Sequence, residues 1–311
     1  MPNFPTKDLL SASALSKGDI ERILEIADSM TPYANKEQQS NLLEGKVLAA
    51  LFYEPSTRTR LSFETAMQRL GGRVITVASM DSSSLTKGET LHDTGKVVEN
   101  YADIVAMRHP APGSVHELAA AVQIPVINAG DGAGEHPTQA LLDMFTIKKE
   151  TKKLDGLTIA LVGDLKFGRT VHSLTYLLSH FKVNLILVSP DRLKMPDEQI
   201  QHFKDQKIEC TVTENLEEGL KHAQVVYMTR VQKERFDDVK EYEKLKHFYI
   251  LTRAMVEKYN SKMTVMHPLP RVGEISLDVD ELAGAAYFRQ VKNGVAMRMG
   301  LLATMLGKVK F

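Results

Sequence analysis

A run of hydroxyl and guanidinium side chains, Ser56-Thr57-Arg58-Thr59-Arg60, lies between an apolar stretch and a helical pattern. The apolar stretch, residues 47–53, predicts a buried strand. The unpaired N–H groups and the dipole of a helix start favour an anion. The hydroxyls add donors, and Arg58 can bind two phosphate oxygens at once. The run therefore predicts a phosphate site, with an ordinary Ser/Thr helix cap as the alternative at this point.

Further polar residues follow other predicted strands in the first half of the chain. Arg108 follows the apolar residues 104–107, and His136 and Gln139 lie three residues apart at a predicted helix start. An imidazole and an amide suit a polarised carbonyl and its amino group. The alternatives at this point are a surface arginine at position 108 and a helix-capping role for His136. Because ligands bind at the carboxyl ends of strands in open α/β sheets, we expect these residues to serve one crevice.

The second half of the chain offers groups that suit carboxylates. Its first strand leads into a stretch whose glycines, Gly163 and Gly168, are five apart, unlike the spacing of a dinucleotide loop. Arg169 offers a planar clamp for a carboxylate. Arg230 and Gln232 are two apart, so in an extended segment they would lie on one side and could bind a second carboxylate, with a charged surface loop as the alternative.

Two prolines follow the last predicted strand of this half, in His267-Pro268-Leu269-Pro270-Arg271. They fix the backbone and leave carbonyl oxygens that can accept hydrogen bonds from an amide or an amine. A rigid turn is the alternative interpretation. The segment therefore predicts an acceptor for a nitrogen-bearing ligand.

Strands and helices alternate along the chain, which predicts two α/β domains with parallel sheets joined near residues 135–155. At the start, Ser16 and Asp19 have the spacing of a capping box and precede a helical apolar pattern. The stretch 79–88 is polar and is expected to be a mobile loop. Residues 294–306 predict an apolar-rich helix.

Composition excludes several classes of function. Lys+Arg and Asp+Glu are both 39, and this balance argues against a general nucleic-acid binder. The one cysteine, Cys210, excludes a disulfide within the chain and fits a reducing cytoplasm. No signal-peptide pattern and no apolar run of about 18–20 residues are found, so we expect no membrane partner. The sequence implies no metal site and no cofactor.

The chain resembles the aspartate/ornithine carbamoyltransferase family essentially from end to end, through the run at residues 56–60, Arg108 and His136-Pro137-Thr138-Gln139. Arg169, residues 229–235 and His267-Pro268-Leu269-Pro270 resemble the aspartate branch. The ornithine branch has a cysteine where this chain has Pro268. A site for ornithine would also need an acceptor for its side-chain ammonium group. The resemblance implies transfer of a carbamoyl group from carbamoyl phosphate to L-aspartate, in pyrimidine synthesis.

The resemblance also implies a division of the chain into a carbamoyl-phosphate domain (1–138), an aspartate domain (139–293) and a C-terminal helix (294–311) that packs back on the first domain. The active site would lie in the cleft between the domains. The phosphate would be held by Ser56, Thr57, Arg58 and Thr59. The carbonyl oxygen would be polarised by Thr59, Arg108 and His136.

Other residues would bind the rest of the substrates. The carbamoyl amino group would meet Gln139 and the segment Pro268-Leu269-Pro270. Arg169 would hold the aspartate α-carboxylate, and Arg230 with Gln232 the β-carboxylate. Lys87 would also belong to the aspartate-binding residues. The catalytic set implied is Arg58, Thr59, Lys87, Arg108, His136 and Gln139.

Lys87 comes from the neighbouring chain of a homotrimer in this family, together with a preceding serine, Ser83 or Ser84. The best-known members have two adjacent lysines here, whereas this chain has Thr86 before Lys87. The resemblance further implies that Glu54 and Arg235 make charge contacts that hold the domains closed. Members occur as free trimers and in larger assemblies, so a separate regulatory chain stays open as a partner.

Three other functions are weighed against this one. A carbamoyltransferase for another amine is disfavoured by Arg230 and Gln232, which do not suit a cationic side chain. A nucleotide-dependent oxidoreductase is disfavoured by the spacing of Gly163 and Gly168. A non-catalytic anion-binding module does not require the whole set of Lys87, Arg108, His136 and Gln139.

Overall fold

Parallel sheets form the centre of both halves of the chain. The computed structural model describes residues 4–132, 134–232, 236, 238–246 and 248–311. The chain divides into two compact units, Met1–Phe145 with Val291–Phe311, and Thr146–Gln290. The assignment of residues 1–138 and 139–293 to the two substrates stays a prediction.

The strands described in the first unit are β1 (Val47–Phe52), β2 (Arg73–Val77), β3 (Ile104–His109) and β4 (Val126–Asp131). They lie in the order β2-β1-β3-β4, and every neighbouring pair is parallel. β1 and β3 are buried along nearly their whole length, as expected for inner strands covered on both faces. β2 lies at the edge and is largely exposed.

The strands described in the second unit are β5 (Leu157–Val162), β6 (Val183–Val188), β7 (Glu209–Thr213), β8 (Val225–Met228) and β9 (Thr264–Met266). Their order is β7-β6-β5-β8-β9, again with parallel neighbours. The central strands β5 and β8 are buried, and β7 is an exposed edge. The two sheets confirm the predicted fold class of two parallel-sheet α/β domains.

Helices connect and cover the strands. They are α1 (Lys17–Ser29), α2 (Thr31–Ala34), α3 (Thr57–Arg69), α4 (Leu91–Val98), α5 (Ser114–Ala121), α6 (Pro137–Thr151), α7 (Arg169–Leu178), α8 (Asp197–Asp205), α9 (Leu216–Leu220), α10 (Val239–Leu245), α11 (Arg253–Asn260) and α12 (Tyr287–Met305). Within the polar stretch 79–88, the chain forms two short 3₁₀ helices, Met80–Ser82 and Ser84–Lys87. None of the helices in the described ranges is long and apolar enough to cross a membrane.

The direction of chain connection reverses once in each sheet. In the first unit the chain passes from β1 to β2 on one side and then continues with β3 on the other side of β1. In the second unit the same reversal occurs between β5 and β8. Crossover helices leave a crevice at the carboxyl ends of the strands where such a reversal occurs. The topology therefore marks the ends of β1 and β3, and of β5 and β8, as ligand-binding positions.

The first helix begins with the capping box that the sequence predicts. The Ser16 hydroxyl accepts the N–H of Asp19 at 3.2 Å, and the Asp19 carboxylate accepts the N–H of Ser16 at 2.9 Å. Each residue thus satisfies a donor that the first turn would leave without an intrahelical partner. The buried residues of α1 include Ile20, Ile23 and Leu24, so the cap fixes the start of a helix that contributes to the core.

Replacing Ser16 by Ala is expected to lower the free energy of unfolding by about 1 kcal/mol, because the cap acceptor is lost. The midpoint of thermal unfolding should fall by about 2–4 °C. Ser16→Thr keeps the acceptor and serves as the matched control. Equal losses in both variants would show that the hydroxyl acceptor is not what stabilises this helix start.

Candidate active site

The serine at the start of α3 does not cap the helix with its side chain. Ser56 is the N-cap residue, with extended backbone (φ −158°, ψ 92°), yet its side chain makes no capping hydrogen bond. The first turn of α3 contains no acidic residue to offset the positive end of the helix dipole. This favours the phosphate interpretation of residues 56–60 over the ordinary cap.

Arg108 lies at the carboxyl end of β3, directly beside the end of β1. The pairing of β3 with β4 shifts register between Met107 and His109, and such a bulge changes the direction of the side chains around it. The Arg108 side chain is 12% exposed, and its Nε lies 2.9 Å from Glu54 Oε2. Glu54 thus contacts an arginine in the same unit. Arg235, its predicted partner in domain closure, lies outside the described residues.

Thr59 and His136 meet at this end of the sheet. Thr59 lies in the first turn of α3 and His136 immediately before α6, and both are buried. The Thr59 Oγ1 and His136 Nε2 atoms are 3.5 Å apart. A hydroxyl and an imidazole at this separation can address the same ligand oxygen. The structure therefore brings together two of the three groups predicted to polarise a carbonyl.

Gln139, in the first turn of α6, has a fixed amide orientation. Its Nε2 donates to Asp143 Oδ1 at 2.9 Å, one helical turn further along. A carboxylate of this kind accepts and does not donate, so the amino end of the Gln139 amide must face it. The carbonyl oxygen is consequently the end that can accept a hydrogen bond from a ligand.

In the second unit, the loop after β5 packs against the segment that follows β8. A Cβ atom built on Gly163 would lie 2.3 Å from the carbonyl oxygen of Thr229, so only glycine allows this approach. The Thr229 Oγ1 donates to the carbonyl of Val162 and accepts the N–H of Asp164, both at 3.0 Å. Gly163 therefore serves close packing of two strand ends.

Two predicted carboxylate-binding residues converge on one carbonyl group. The carbonyl of Phe167 accepts the backbone N–H of Arg169 at 2.9 Å and the side-chain Nε2 of Gln232 at 3.0 Å. The Gln232 amino group carries a second hydrogen, which one bond to Phe167 does not use. Arg169 and Gln232 are both half-buried. The structure thus joins residues that are far apart in the sequence.

Asp164 is fully buried and accepts the backbone N–H of Phe167 at 2.9 Å. Burial raises the pKa of Asp164, while N–H groups of Phe167 and Gln232 and the charge of Arg230 act against that rise. A buried carboxylate needs such donors to remain ionised. Arg230 therefore stands within electrostatic reach of the carboxylate that also organises the neighbouring loop.

His267 orders the Pro268-Leu269-Pro270 segment after β9. Its Nδ1 accepts the N–H of Leu269 at 2.7 Å, so Nε2 carries the hydrogen and donates to Glu274 Oε1 at 2.6 Å. The second Glu274 oxygen accepts the N–H of Val272 at 2.9 Å. Leu269 has a positive φ of 59°, and the Leu269–Pro270 bond is cis. The buried imidazole and carboxylate thus hold an unusual backbone that presents carbonyl groups.

Lys87 and Ser84 lie on the second 3₁₀ helix, and Ser83 is its N-cap residue. Lys87 and Ser84 are exposed, while Ser83 is half-buried and accepts the N–H of Leu85 at 3.2 Å. Burial raises the pKa of Tyr53, and a hydrogen bond with Ser83 acts against that rise. The Ser83 hydroxyl is therefore engaged within its own chain.

Comparison with known proteins decides the family. The family model described as aspartate/ornithine carbamoyltransferase, carbamoyl-P binding domain, matches residues 7–149. A second, described as aspartate/ornithine carbamoyltransferase, Asp/Orn binding domain, matches residues 155–305. The chain belongs to the aspartate/ornithine carbamoyltransferase family. The family predicted from the sequence is thereby confirmed.

Members of this carbamoyltransferase family resemble the chain over almost its whole length. The aspartate carbamoyltransferase catalytic subunit of Leptospira biflexa is 49% identical over 304 residues, which cover 98% of each chain. The solved catalytic subunit of aspartate transcarbamoylase from M. jannaschii is 49% identical, with a TM-score of 0.90, over 96% of this chain and 98% of that one.

A third relative is the aspartate transcarbamoylase of Trypanosoma cruzi, solved in complex with carbamoyl phosphate and aspartate. It is 40% identical, with a TM-score of 0.91, over 97% of this chain and 98% of the other. The fold of this chain is therefore that of family members from distant organisms.

The sequence did not reveal three carboxylates and one guanidinium that interact with the candidate ligand-binding segments or with each other. They are Asp143, Asp164, Glu274 and Arg298. One signal was available for Asp143, which is a lone acidic residue in an apolar stretch one helical turn after Gln139. Glu274 and Arg298 carry no comparable local signal, because each meets its partner only through the tertiary fold.

Replacing Glu274 by Gln tests the role of the buried pair with His267. Burial raises the pKa of Glu274, but the hydrogen bond from His267 and the backbone N–H groups of Val272 and Glu274 act together with the His267 charge to hold the pKa below its usual 4.5. A carboxylate whose pKa is lower in the folded than in the unfolded state stabilises the folded protein above about pH 5. This stabilisation is lost as the pH falls through the pKa of the folded state. Glu274→Gln also places an amide N–H against the N–H of Val272, at a cost of about 1–3 kcal/mol at pH 7.

Urea unfolding from pH 7 to pH 4 measures both effects. The variant is expected to be less stable at pH 7 and to lose less stability than wild type as the pH falls. Glu44→Gln, at an exposed position in the other unit, should leave the wild-type profile unchanged. A variant with the full wild-type loss on acidification would contradict the assigned role of the Glu274 carboxylate.

Proposed function

We propose that this chain transfers the carbamoyl group of carbamoyl phosphate to the amino group of L-aspartate. The products are N-carbamoyl-L-aspartate and phosphate, as a step of de novo pyrimidine biosynthesis. The observation that supports the choice of aspartate is that Gln232 and the start of α7 at Arg169 share the carbonyl acceptor of Phe167, so that two predicted carboxylate-binding residues lie close together. Family membership supports the carbamoyl donor.

The first unit would bind carbamoyl phosphate. Helix α3 begins in the run that would hold the phosphate: Ser56, Thr57, Arg58 and Thr59. Three groups would meet the carbonyl oxygen, namely Thr59, Arg108 and His136, and the 3.5 Å separation of Thr59 and His136 supports their shared role. The oxygen of Gln139, together with the carbonyl groups of the segment Pro268-Leu269-Pro270, would accept from the carbamoyl amino group.

The second unit would bind aspartate through its two carboxylates. Arg169 would take the α-carboxylate, and Arg230 with Gln232 the β-carboxylate. Guanidinium groups bind carboxylates with paired, charge-assisted hydrogen bonds, which makes this donor set suited to a dicarboxylic amino acid. Ornithine ends in an ammonium group, which the positive charges of Arg169 and Arg230 would repel. The cluster therefore favours aspartate over ornithine.

The reaction begins when the aspartate amine attacks the carbamoyl carbon. A tetrahedral intermediate forms with negative charge on the former carbonyl oxygen, and the bond to the phosphate oxygen then breaks. Thr59, Arg108 and His136 would stabilise that charge, because hydrogen-bond donors fixed in advance act most strongly where charge develops. The departing phosphate accepts the proton that the amine loses, so no separate protein base is required.

Lys87 fits a role in the active site of a neighbouring chain. It is exposed on the segment Ser84–Lys87, and Ser84 beside it is exposed as well. We propose a homotrimer in which Lys87 of one chain completes the site of the next. A cytoplasmic location accords with the single cysteine, Cys210, which cannot form a disulfide within the chain.

The proposed activity is tested by supplying carbamoyl phosphate with aspartate or with ornithine and measuring the carbamoylated product. We expect N-carbamoyl-L-aspartate and no citrulline. Replacing Arg230 by Ala should raise the KM for aspartate about tenfold or more, because a charge-assisted bond to the β-carboxylate is lost. Its effect on the KM for carbamoyl phosphate should be small.

Arg192→Ala is the matched control, since it removes an exposed arginine from the same unit. It should leave both KM values near those of wild type. Turnover with ornithine in place of aspartate would overturn the proposed function. An unchanged aspartate KM in Arg230→Ala would overturn only the assignment of the β-carboxylate.

Shared active sites are tested by mixing chains that carry different substitutions. Arg58→Ala and Lys87→Ala should each be nearly inactive alone. After exchange of chains at equal concentration, about a quarter of the wild-type activity should return, because mixed trimers contain one site with neither substitution. A mixture of Arg58→Ala with His136→Ala should recover nothing, since both residues would belong to the same half of a site. Equal recovery in the two mixtures would contradict the sharing of Lys87.

A further inference from the structure

A buried charged pair lies behind the Gln139 amide. Asp143 accepts the Gln139 amino group at 2.9 Å and is completely buried, with 0% of its surface exposed. Arg298, on α12, is 3% exposed and interacts with the Asp143 charge. Burial lowers the pKa of Arg298 to about 10, so the guanidinium remains charged at neutral pH. A carboxylate buried this deeply would be costly to keep ionised without that cation.

The surroundings of Arg298 fix its position. Its guanidinium lies over the ring of Phe63, with the central carbon 5.0 Å from the ring centre, and Nη1 donates to the carbonyl of Gly294 at 3.2 Å. A Cβ atom on Gly294 would lie 2.8 Å from Nη1 and 3.1 Å from Cδ2 of Leu142. Gly294 therefore leaves the space that the guanidinium occupies. Phe63 belongs to α3, the helix that begins at the predicted phosphate run.

We propose that Asp143 is a positioning residue for the donor substrate: it holds the amino end of the Gln139 amide, so that the Gln139 oxygen is the group presented to the amino group of carbamoyl phosphate. This inference rests on the proposed function, because it assigns a ligand to Gln139. The two ends of an amide differ in hydrogen-bonding role but hardly in shape, and packing alone selects poorly between them. A carboxylate selects one orientation of the amide, because it accepts hydrogen bonds from the amino end and cannot donate one to the oxygen.

The consequence is selectivity for a carbamoyl over an acetyl group. Acetyl phosphate has a methyl group where carbamoyl phosphate has its amino group, so it cannot donate to the Gln139 oxygen. Wild-type protein should therefore bind carbamoyl phosphate more tightly than acetyl phosphate. Inorganic phosphate lacks the acyl group and reports only on the phosphate-binding residues.

Replacing Asp143 by Asn should invert the Gln139 amide. Arg298 offers only donors, and its charge favours the orientation in which the oxygen of the introduced amide is turned towards it. The amino group of the introduced side chain then faces Gln139, which would turn its own oxygen inward and its amino group towards the ligand. The amino group of Gln139 would then face the amino group of carbamoyl phosphate, and neither can accept a hydrogen bond from the other. We expect the Kd for carbamoyl phosphate to rise about tenfold, with the Kd values for acetyl phosphate and inorganic phosphate within about twofold of wild type.

Calorimetric titration of the full-length protein with the three ligands measures this preference. Gln139→Ala should lose the preference for carbamoyl over acetyl phosphate, and adding Asp143→Asn to it should change nothing more, since the effect acts through Gln139. Asp143→Asn with the wild-type preference intact would overturn the proposal. So would a parallel loss of affinity for all three ligands, which indicates general structural damage.

A second variant covers the case in which Asp143→Asn alone does not fold because Arg298 loses its partner. The double variant Asp143→Asn/Arg298→Met removes both buried charges, a change that proteins often tolerate well. Without the cation, neither amide orientation is favoured, so the preference should fall about twofold. A double variant with the undiminished wild-type preference would contradict the proposal.

A measurement on the wild-type protein needs no charge substitution. The side-chain amino hydrogens of Gln139, assigned by their absence in Gln139→Ala, should exchange with solvent at least about tenfold more slowly than those of the exposed Gln206. Equal exchange rates would overturn the inference. Wild-type protein that binds carbamoyl phosphate selectively but makes no N-carbamoyl-L-aspartate would refute the proposed function and leave the role of Asp143 standing.

Discussion

The position at which a parallel sheet reverses its chain order constrains everything else in this molecule. Right-handed crossovers place the helices after β1 and β3 on opposite faces of the first sheet, and the same holds for β5 and β8 in the second. The strand ends between them stay uncovered, with helix starts and loop N–H groups exposed to a ligand. That geometry explains why residues 56–60 and Arg108 lie together in one unit, and why the loop containing Gly163 meets Thr229 in the other.

Carboxylates form a common second layer behind the candidate ligand-binding groups. Asp143 accepts from Gln139, Asp164 interacts with the charge of Arg230, Glu54 contacts Arg108, and Glu274 accepts from the imidazole of His267. Burying such charges is unfavourable, and each is offset by hydrogen bonds or a nearby cation. Such contacts restrict the orientations of the side chains that they engage, and a side chain ordered before substrate binding lowers the entropic cost of that binding.

The parts of the fold that depend on local pattern could be predicted from the sequence. Apolar runs located β5 and β8, and the Ser16 capping box located the start of α1, because each signal is complete within a few residues. Helices α8 and α9 were not predicted. α8 buries Phe203 alone, and the five-residue α9 contains Gly219, so neither has a strong periodic pattern. The residue types of the candidate site were visible in the sequence, but the carboxylates behind them depend on contacts between distant segments.

The glycine within the last helix, Gly294, was predicted to mark the helix start, but its position is explained by a tertiary contact. The sequence predicted a helix from Gly294, whereas α12 begins at Tyr287 and passes through that glycine. A glycine inside a helix costs roughly 1 kcal/mol relative to alanine, so its presence requires a compensating contact. Here a Cβ atom would collide with Arg298, the cation that neutralises Asp143. The low helix propensity of Gly294 is thus explained by the space that Arg298 needs. Arg298 in turn interacts with Asp143, which binds Gln139 in the candidate active site.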